Sequence, residues 1–249
     1  MSVKSLIKSR LPKSLKNWIR ARRFSTCHPP VGSIRWGSLR RLDPVSRSWG
    51  IDRGGFSMYR GYIHEFLTRN AADIRGRVLE FGEDRYTPQF GDGRVTQSDV
   101  LSPVPGNPRA TMVADLTRAD PVPSEAFDCI LCTEVLTYIY DVRSACAHLH
   151  RVLKPGGVLL ATFPGITKIN PVDRALWGEY WHYTSESVKK LLSEYFPSPN
   201  VAVESFGNVL VAIAALHGLS WQELREEERN HHDPEFEVLI TVRAVKPQG

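Results

Sequence analysis

No run of the sequence approaches the ~20 consecutive apolar residues needed to cross a bilayer as a helix, so a helical membrane span is not expected. The basic start of the chain is not followed by the apolar core of roughly 7–15 residues that a secretory signal requires, although its composition leaves an organelle transit peptide open. Cysteine is scarce: Cys27, Cys129, Cys132 and Cys146. Cys129 and Cys132 have CxxC spacing, but they fall in an apolar, strand-like run where a spacing of three points them to opposite faces. They read as core thiols of a reducing cytoplasm. His231-His232-Asp233 lies in a polar stretch, and no metal site is expected there. No Gly-x-Gly-x-x-Gly opens a helix, which removes the signature of a dinucleotide-dependent dehydrogenase.

Acidic residues are missing from residues 1–23, which hold eight Lys and Arg. The chain is +5 overall, so setting those eight cations aside leaves −3 for residues 24–249. A mildly acidic body disfavours nucleic acid as its partner. Val3, Ile7, Leu11, Leu15, Trp18 and Ile19 recur near helical period, with Pro12 interrupting. Two readings stand for this arm. It rests on an anionic membrane or an acidic partner such as a glycosyltransferase, or it is a solvated or docked segment. Residues 24–50 are rich in Pro, Gly, Ser and Arg. Residues 1–50 are therefore read as arm and linker, and residues 51–249 as one cytoplasmic domain, with the arm peripheral to the inner face of the membrane. At 42% hydrophobic, the chain can bury one substantial core.

The most informative run is Phe127-Asp-Cys-Ile-Leu-Cys-Thr-Glu134, a helix-like stretch, and then Arg151-Val-Leu-Lys-Pro-Gly-Gly-Val-Leu-Leu160. The helix is expected to stop at Lys154-Pro155-Gly156-Gly157, because Pro lacks an N–H and Gly takes positive φ freely. The flanking strands, 128–132 and 158–163, are nearly continuous apolar runs, which suits burial on both faces of a parallel sheet. Further strands are expected at 77–81, 95–99, 111–114, 201–206 and 236–245. Helices are expected at 56–70, 141–153, 184–195, 208–217 and 221–229. Only residues 83–93 separate the first two strands, fewer than a helical crossover needs. The next link, Ser102-Pro-Val-Pro-Gly-Asn-Pro108, is short and Pro-rich.

The strand–helix–KPGG–strand unit resembles the second half of class I S-adenosylmethionine-dependent methyltransferases. The resemblance covers about residues 74–246. It implies a Rossmann-like α/β domain with a mostly parallel seven-stranded sheet and an antiparallel last strand. Here the helices between strands 1–2 and 2–3 are reduced. It implies S-adenosylmethionine as cofactor, held at the carboxyl ends of the strands. The residues in the corresponding places are Glu80 near the end of strand one, Gly82 after it, and Asp99 at the end of strand two for the ribose hydroxyls. Asp115 and the Leu116 backbone follow strand three for adenine, and Thr133 follows strand four beside Glu134. The glycine loop reads Gly82-Glu-Asp-Arg-Tyr-Thr87 where the family has Gly-x-Gly, a degenerate form. Either the helix at 56–70 with Arg53 and Arg60 refills that side, or the pocket is lost.

Asp52-Arg53-Gly54, Arg77–Thr87, Trp177-Gly-Glu-Tyr-Trp-His-Tyr-Thr184 and Gly207-Asn-Val-Leu210 look like a bacterial methyltransferase group often linked to glycan biosynthesis. Members of that group tend to carry Asp where Tyr59 stands and Trp-Arg-Phe-Thr where this chain has Trp181-His-Tyr-Thr184. The aromatic residues Trp177, Tyr180, Trp181 and Tyr183 after strand five, with Tyr138 after strand four, are read as substrate-binding. His182 is read as the base that takes a proton from an acceptor hydroxyl. The expected activity is O-methylation of a glycan precursor or small metabolite. The competing expectation is an inactive, methyltransferase-like binding partner of a glycan-assembly complex.

Overall fold

The computed structural model of the protein describes residues 37–248. The basic arm and Cys27 lie outside the described residues. The chain divides into a unit ending at Asp43, whose described part holds a single 3-10 turn at Gly37–Leu39, and a unit from Pro44 onward. The second unit therefore takes in residues 44–50.

Its centre is a seven-stranded sheet: β1 Gly76–Phe81, β2 Val95–Ser102, β3 Met112–Val113, β4 Phe127–Thr133, β5 Leu153–Pro164, β6 Val201–Phe206 and β7 Leu239–Val245. The order is β3-β2-β1-β4-β5-β7-β6. The pairs from β3 through β5 are parallel, and β7 runs antiparallel to both β5 and β6. This is the expected Rossmann-like α/β class.

Alternation along the buried strands splits the core into two faces. Helix α1 (Met58–Arg69), capped by the Ser57 hydroxyl, covers one face with Tyr62, Phe66 and Leu67. Helix α3 (Val142–Val152) covers the other with Cys146 and Leu149. Cys129 falls in the first core and Cys132 in the second, both about fully buried. The CxxC pair thus straddles the sheet, as its spacing requires.

The gap between β1 and β2 holds only the four-residue helix α2 (Thr87–Phe90), and no helix joins β2 to β3. Helix α1 fills the space. His64 sets its ring edge-on to Tyr86 at 5.9 Å and to Phe90 at 5.6 Å.

Several boundaries move. Helix α3 stops at Val152, not at Lys154–Gly157, and β5 starts at once with Leu153 opposite Phe127. The Pro-Gly-Gly run shapes a register shift inside β5, with Gly156 at φ +76°. Strand β2 continues three residues past Asp99, because Val100 and Leu101 are buried. Helix α4 (Pro171–Trp177) was not anticipated, although its Asn170 cap followed by Pro171 is a helix-start signature. Helices α5 (Ser185–Leu192) and α6 (Val209–His217) fall inside their expected ranges. The stretch 221–229 breaks into a 3-10 turn, Trp221–Glu223, and helix α7, Glu226–Asn230.

Candidate active site

The direction of strand progression reverses between β1 and β4, which adjoin, and ligands of such sheets bind beyond the strand tips at this point. A cavity of about 1320 Å³ opens there. Its inner end is built on Glu80, only 2% exposed. The Glu80 carboxylate accepts the backbone N–H of Tyr86 at 3.0 Å and of Thr87 at 2.6 Å, so it holds the short loop that replaces the usual crossover. Burial raises its pKa, with the two N–H bonds working against that shift.

Gly82 ends β1 at φ +73°, and a Cβ there would meet nothing within 4 Å. Its backbone is bare toward the cavity, and its carbonyl accepts Asn107 Nδ2 at 2.6 Å, which ties the Pro-rich β2–β3 link to the β1 tip. Asp115 caps a 3-10 turn by accepting Thr117 N–H at 2.8 Å, and buried Leu116 supplies an apolar wall next to it. Thr133 closes β4 at the same cavity.

The following residue, Glu134, is held at φ +57°, a left-handed conformation that costs a non-glycine residue about 1–2 kcal/mol. Its N–H reaches the Thr162 carbonyl and hydroxyl, both at 3.1 Å, and that hydroxyl donates to Glu134 Oε1 at 3.2 Å. Burial lifts its carboxyl to about 7.

The outer end is a rim of aromatic residues from the turn after β4, from α4 and from the segment after it. Tyr138, Trp177 and Tyr180 line it, and the Tyr138 hydroxyl donates to Asp173 Oδ2 at 3.1 Å. Glu179 accepts Asn170 N–H at 2.8 Å, fixing the loop after α4 to the helix cap.

Thus Glu80, Gly82, Asp115, Leu116, Thr133, Tyr138, Trp177 and Tyr180 share one cavity. Four expected residues stand outside its lining. Asp99 is mid-strand and 4% exposed, and its carboxylate accepts Arg77 Nε at 2.7 Å, Gln97 Nε2 at 3.0 Å and the Thr111 hydroxyl at 2.9 Å. The strand runs on past it, so the acid is spent in the fold. His182 lies outside, its Nε2 3.3 Å from Glu179 Oε1. Trp181 donates its indole N–H to the Ile139 carbonyl at 3.0 Å and stacks on Tyr140. Tyr183 is core, its hydroxyl bound to the Leu136 carbonyl at 2.9 Å. The three after β5 were misplaced because helix α4, unseen in the sequence, takes the position over the cavity. Tyr59 and Tyr86 line the cavity and were not singled out as binding residues. The signal for both was the missing crossover helix, whose space some aromatic side chain had to fill. Arg60 lines the same wall, whereas Arg53 is bound to Glu223.

Residues 90–161 match the family model described as a methyltransferase domain. No curated protein matches the sequence. Among solved structures, the chain is similar to Haemonchus contortus phosphoethanolamine N-methyltransferase 2 in complex with phosphomonomethylethanolamine and S-adenosylhomocysteine. The identity is 16% and the TM-score 0.45, with 70% of this chain and 49% of that one covered, so the chain spans about half the nematode enzyme's length. It is similar at 15% identity to the YcgJ protein of Bacillus subtilis (TM-score 0.46; 75% and 100% covered). It is also similar to an S-adenosylmethionine-dependent methyltransferase of Mesorhizobium loti at 16% identity (TM-score 0.47; 70% and 93% covered).

S-adenosylmethionine is the cofactor that the match to a methyltransferase domain implies, and the residues present suit it. The open side of Gly82 leaves room for a ligand against the backbone, Leu116 offers an apolar surface for a base, and Asp115 and Glu134 are acceptors facing the same space. That room stands although Gly82 is the only glycine of the loop 82–87, and Tyr59 and Arg60 of α1 line the wall beside it. Among the described residues, no helix is long and apolar enough to cross a membrane.

Proposed function

We propose that this protein is an S-adenosylmethionine-dependent methyltransferase that methylates a hydroxyl group of a glycan precursor or other small metabolite. One observation carries the reading: a single cavity of about 1320 Å³ joins the Gly82–Leu116 end to the aromatic rim. Pockets for one small ligand run to roughly 300–1,000 Å³, so this one has room for a cofactor and an acceptor together. The cofactor supplies an electrophilic methyl group. The chain's task is to align the acceptor with it and to exclude water. Tyr138, Trp177 and Tyr180 offer flat apolar faces to the C–H side of a sugar ring, and Asp173, held by Tyr138 and Asn170, offers a carboxylate to its hydroxyls. The basic segment 1–23 is assigned to reversible contact with an anionic membrane, where glycan precursors on lipid carriers are assembled.

Calorimetric titration with S-adenosylmethionine and S-adenosylhomocysteine tests the cofactor half. Saturable binding of both is expected, and folded protein that binds neither overturns it. Transfer of labelled methyl from the cofactor to sugar and polyol acceptors, with the product tested for the base stability of an ether, tests the acceptor half. Label found only in base-labile esters or in amines refutes O-methylation of a hydroxyl.

A further inference from the structure

Glu134 differs from the other acids of the cavity. Asp115 caps a turn and Glu80 holds a loop, but the Glu134 carboxyl is bonded only to the Thr162 hydroxyl. No Lys or Arg pairs with it among the described residues. The groups that face it are Glu179 from the segment after α4, Tyr59 of α1, Tyr86 of the β1–α2 link and Tyr138 of the turn after β4. Two tendencies follow from these neighbours. Burial and the charge of Glu179 both disfavour the carboxylate, and none of the tyrosines supplies a cation. Glu134 is partly buried and lines the cavity, so a partner for its carboxyl can come from a ligand there. The backbone is strained to φ +57° and pinned by two bonds to Thr162, an arrangement that fixes the side chain at the β4 tip.

We propose that the missing cation arrives with the ligand: Glu134 is the counter-ion of the cofactor's sulfonium, and the cofactor is taken up with release of the Glu134 carboxyl proton to solvent. This rests on the reading that the cofactor occupies the cavity. The step balances, since a neutral carboxyl and a sulfonium give a carboxylate–sulfonium pair and one proton. After methyl transfer the sulfur is a neutral thioether. The acceptor hydroxyl has then given up a proton and Glu134 has regained one, so the charge closes over a turnover. The device distinguishes substrate cofactor from product by the charge on one sulfur atom. Product leaves a protonated Glu134 behind and is not retained by it.

The amino and carboxyl groups of the methionine part are common to both ligands, so the difference between them isolates the sulfonium. Titrations of the full chain at pH 7 in two buffers of different ionisation enthalpy measure the protons exchanged. With the carboxyl at about 7 in the free protein, S-adenosylmethionine is expected to release about half a proton more than S-adenosylhomocysteine. The preference for S-adenosylmethionine should also grow between pH 5.5 and 8.5, by about eightfold if the cation lowers Glu134 by one pKa unit and by about thirtyfold if it lowers it by three, the range an opposite charge nearby produces. Glu134→Gln should lose both the extra proton and the pH-dependent preference. Equal proton release by the two ligands in the wild-type protein overturns this inference alone, whatever the variant's stability. An unchanged proton difference in Glu134→Gln assigns it to another group and overturns it too. Failure of the folded wild-type protein to bind either ligand overturns the cofactor reading, and this inference with it.

Discussion

Replacing Asp99 by alanine separates two accounts of the same acid. In the structure its carboxylate is 4% exposed and accepts from Arg77, Gln97 and Thr111. Alanine leaves the Arg77 guanidinium without its acid, and breaking a buried pair costs about 3–5 kcal/mol. Two features reduce that figure. The Arg77 side chain is 29% exposed, so water recovers part of the loss, and its guanidinium stays 4.9 Å over the Phe127 ring. About 2–3 kcal/mol remains. For a unit of this size each kcal/mol moves the melting temperature by about 2–4 °C, so Asp99→Ala should melt about 4–12 °C below wild type. Because the carboxylate does not line the cavity, the folded variant should bind S-adenosylhomocysteine as wild type does. Circular dichroism at the helix band gives the first quantity and calorimetry the second. An unchanged melting temperature with a tenfold or greater loss of affinity refutes the argument and returns Asp99 to the role of ribose ligand.

Asp115→Ala, at the cavity wall, should instead weaken S-adenosylhomocysteine by ~1–3 kcal/mol, measured by the same titration. The folded-state pKa of Glu134, about 7, lies above its ordinary value of 4.5. The folded state therefore binds the extra proton, and the stability it confers is complete below about pH 4.5 and lost as pH rises through 7. The loss is about 3 kcal/mol. Denaturant titrations of wild type and Glu134→Gln should converge near pH 4.5, with the variant the more stable at pH 8. Gly61 sits under the Trp221 ring, where a Cβ would fall 2.0 Å from the nearest ring atom. Gly61→Ala should cost about 1–3 kcal/mol of stability, read from its denaturation midpoint. For the arm, full-length protein should sediment with phosphatidylglycerol vesicles at low salt, while a chain starting at Phe24 should not, each basic residue near the surface contributing about 1 kcal/mol.

The sheet was legible because its inner strands are apolar on both faces, which leaves few alternatives to a parallel core. The short β1–β2 link was legible for a steric reason: eleven residues with Pro88, Gly91 and Gly93 cannot hold an ordinary crossover helix. The cavity acids were legible only in part. Asp115 and Glu80 could be placed by counting from strand ends, but the same counting failed for Asp99, since an acid inside a strand and an acid ending one look alike until the partner, Arg77, is found across the ladder. Tyr183 and Trp181 failed for a related reason. Both are aromatic residues beside the site, and only their hydrogen bonds to the Leu136 and Ile139 carbonyls show that they support it from behind. The strained backbone of Glu134 has no sequence signature, because the residue type says nothing about φ.

The wall that replaces the missing crossover helix comes from residues 49–63, and it is fastened by the far end of the chain. Ser46 N–H bonds the His217 carbonyl at 3.0 Å, Trp221 N–H bonds the Phe56 carbonyl at 2.8 Å, and Ser57 bridges to Ser220. Contacts of such sequence separation form late, since the loop-closure entropy must be met before they stabilise anything. On the ribosome the wall segment emerges early and must wait for residues 217–221, so the sheet can assemble around β1 and β4 while one side of the cavity stands open. Competence to hold a ligand then waits on residues made after six of the seven strands. A chain halted after β6 would have most of its strands and no closed site.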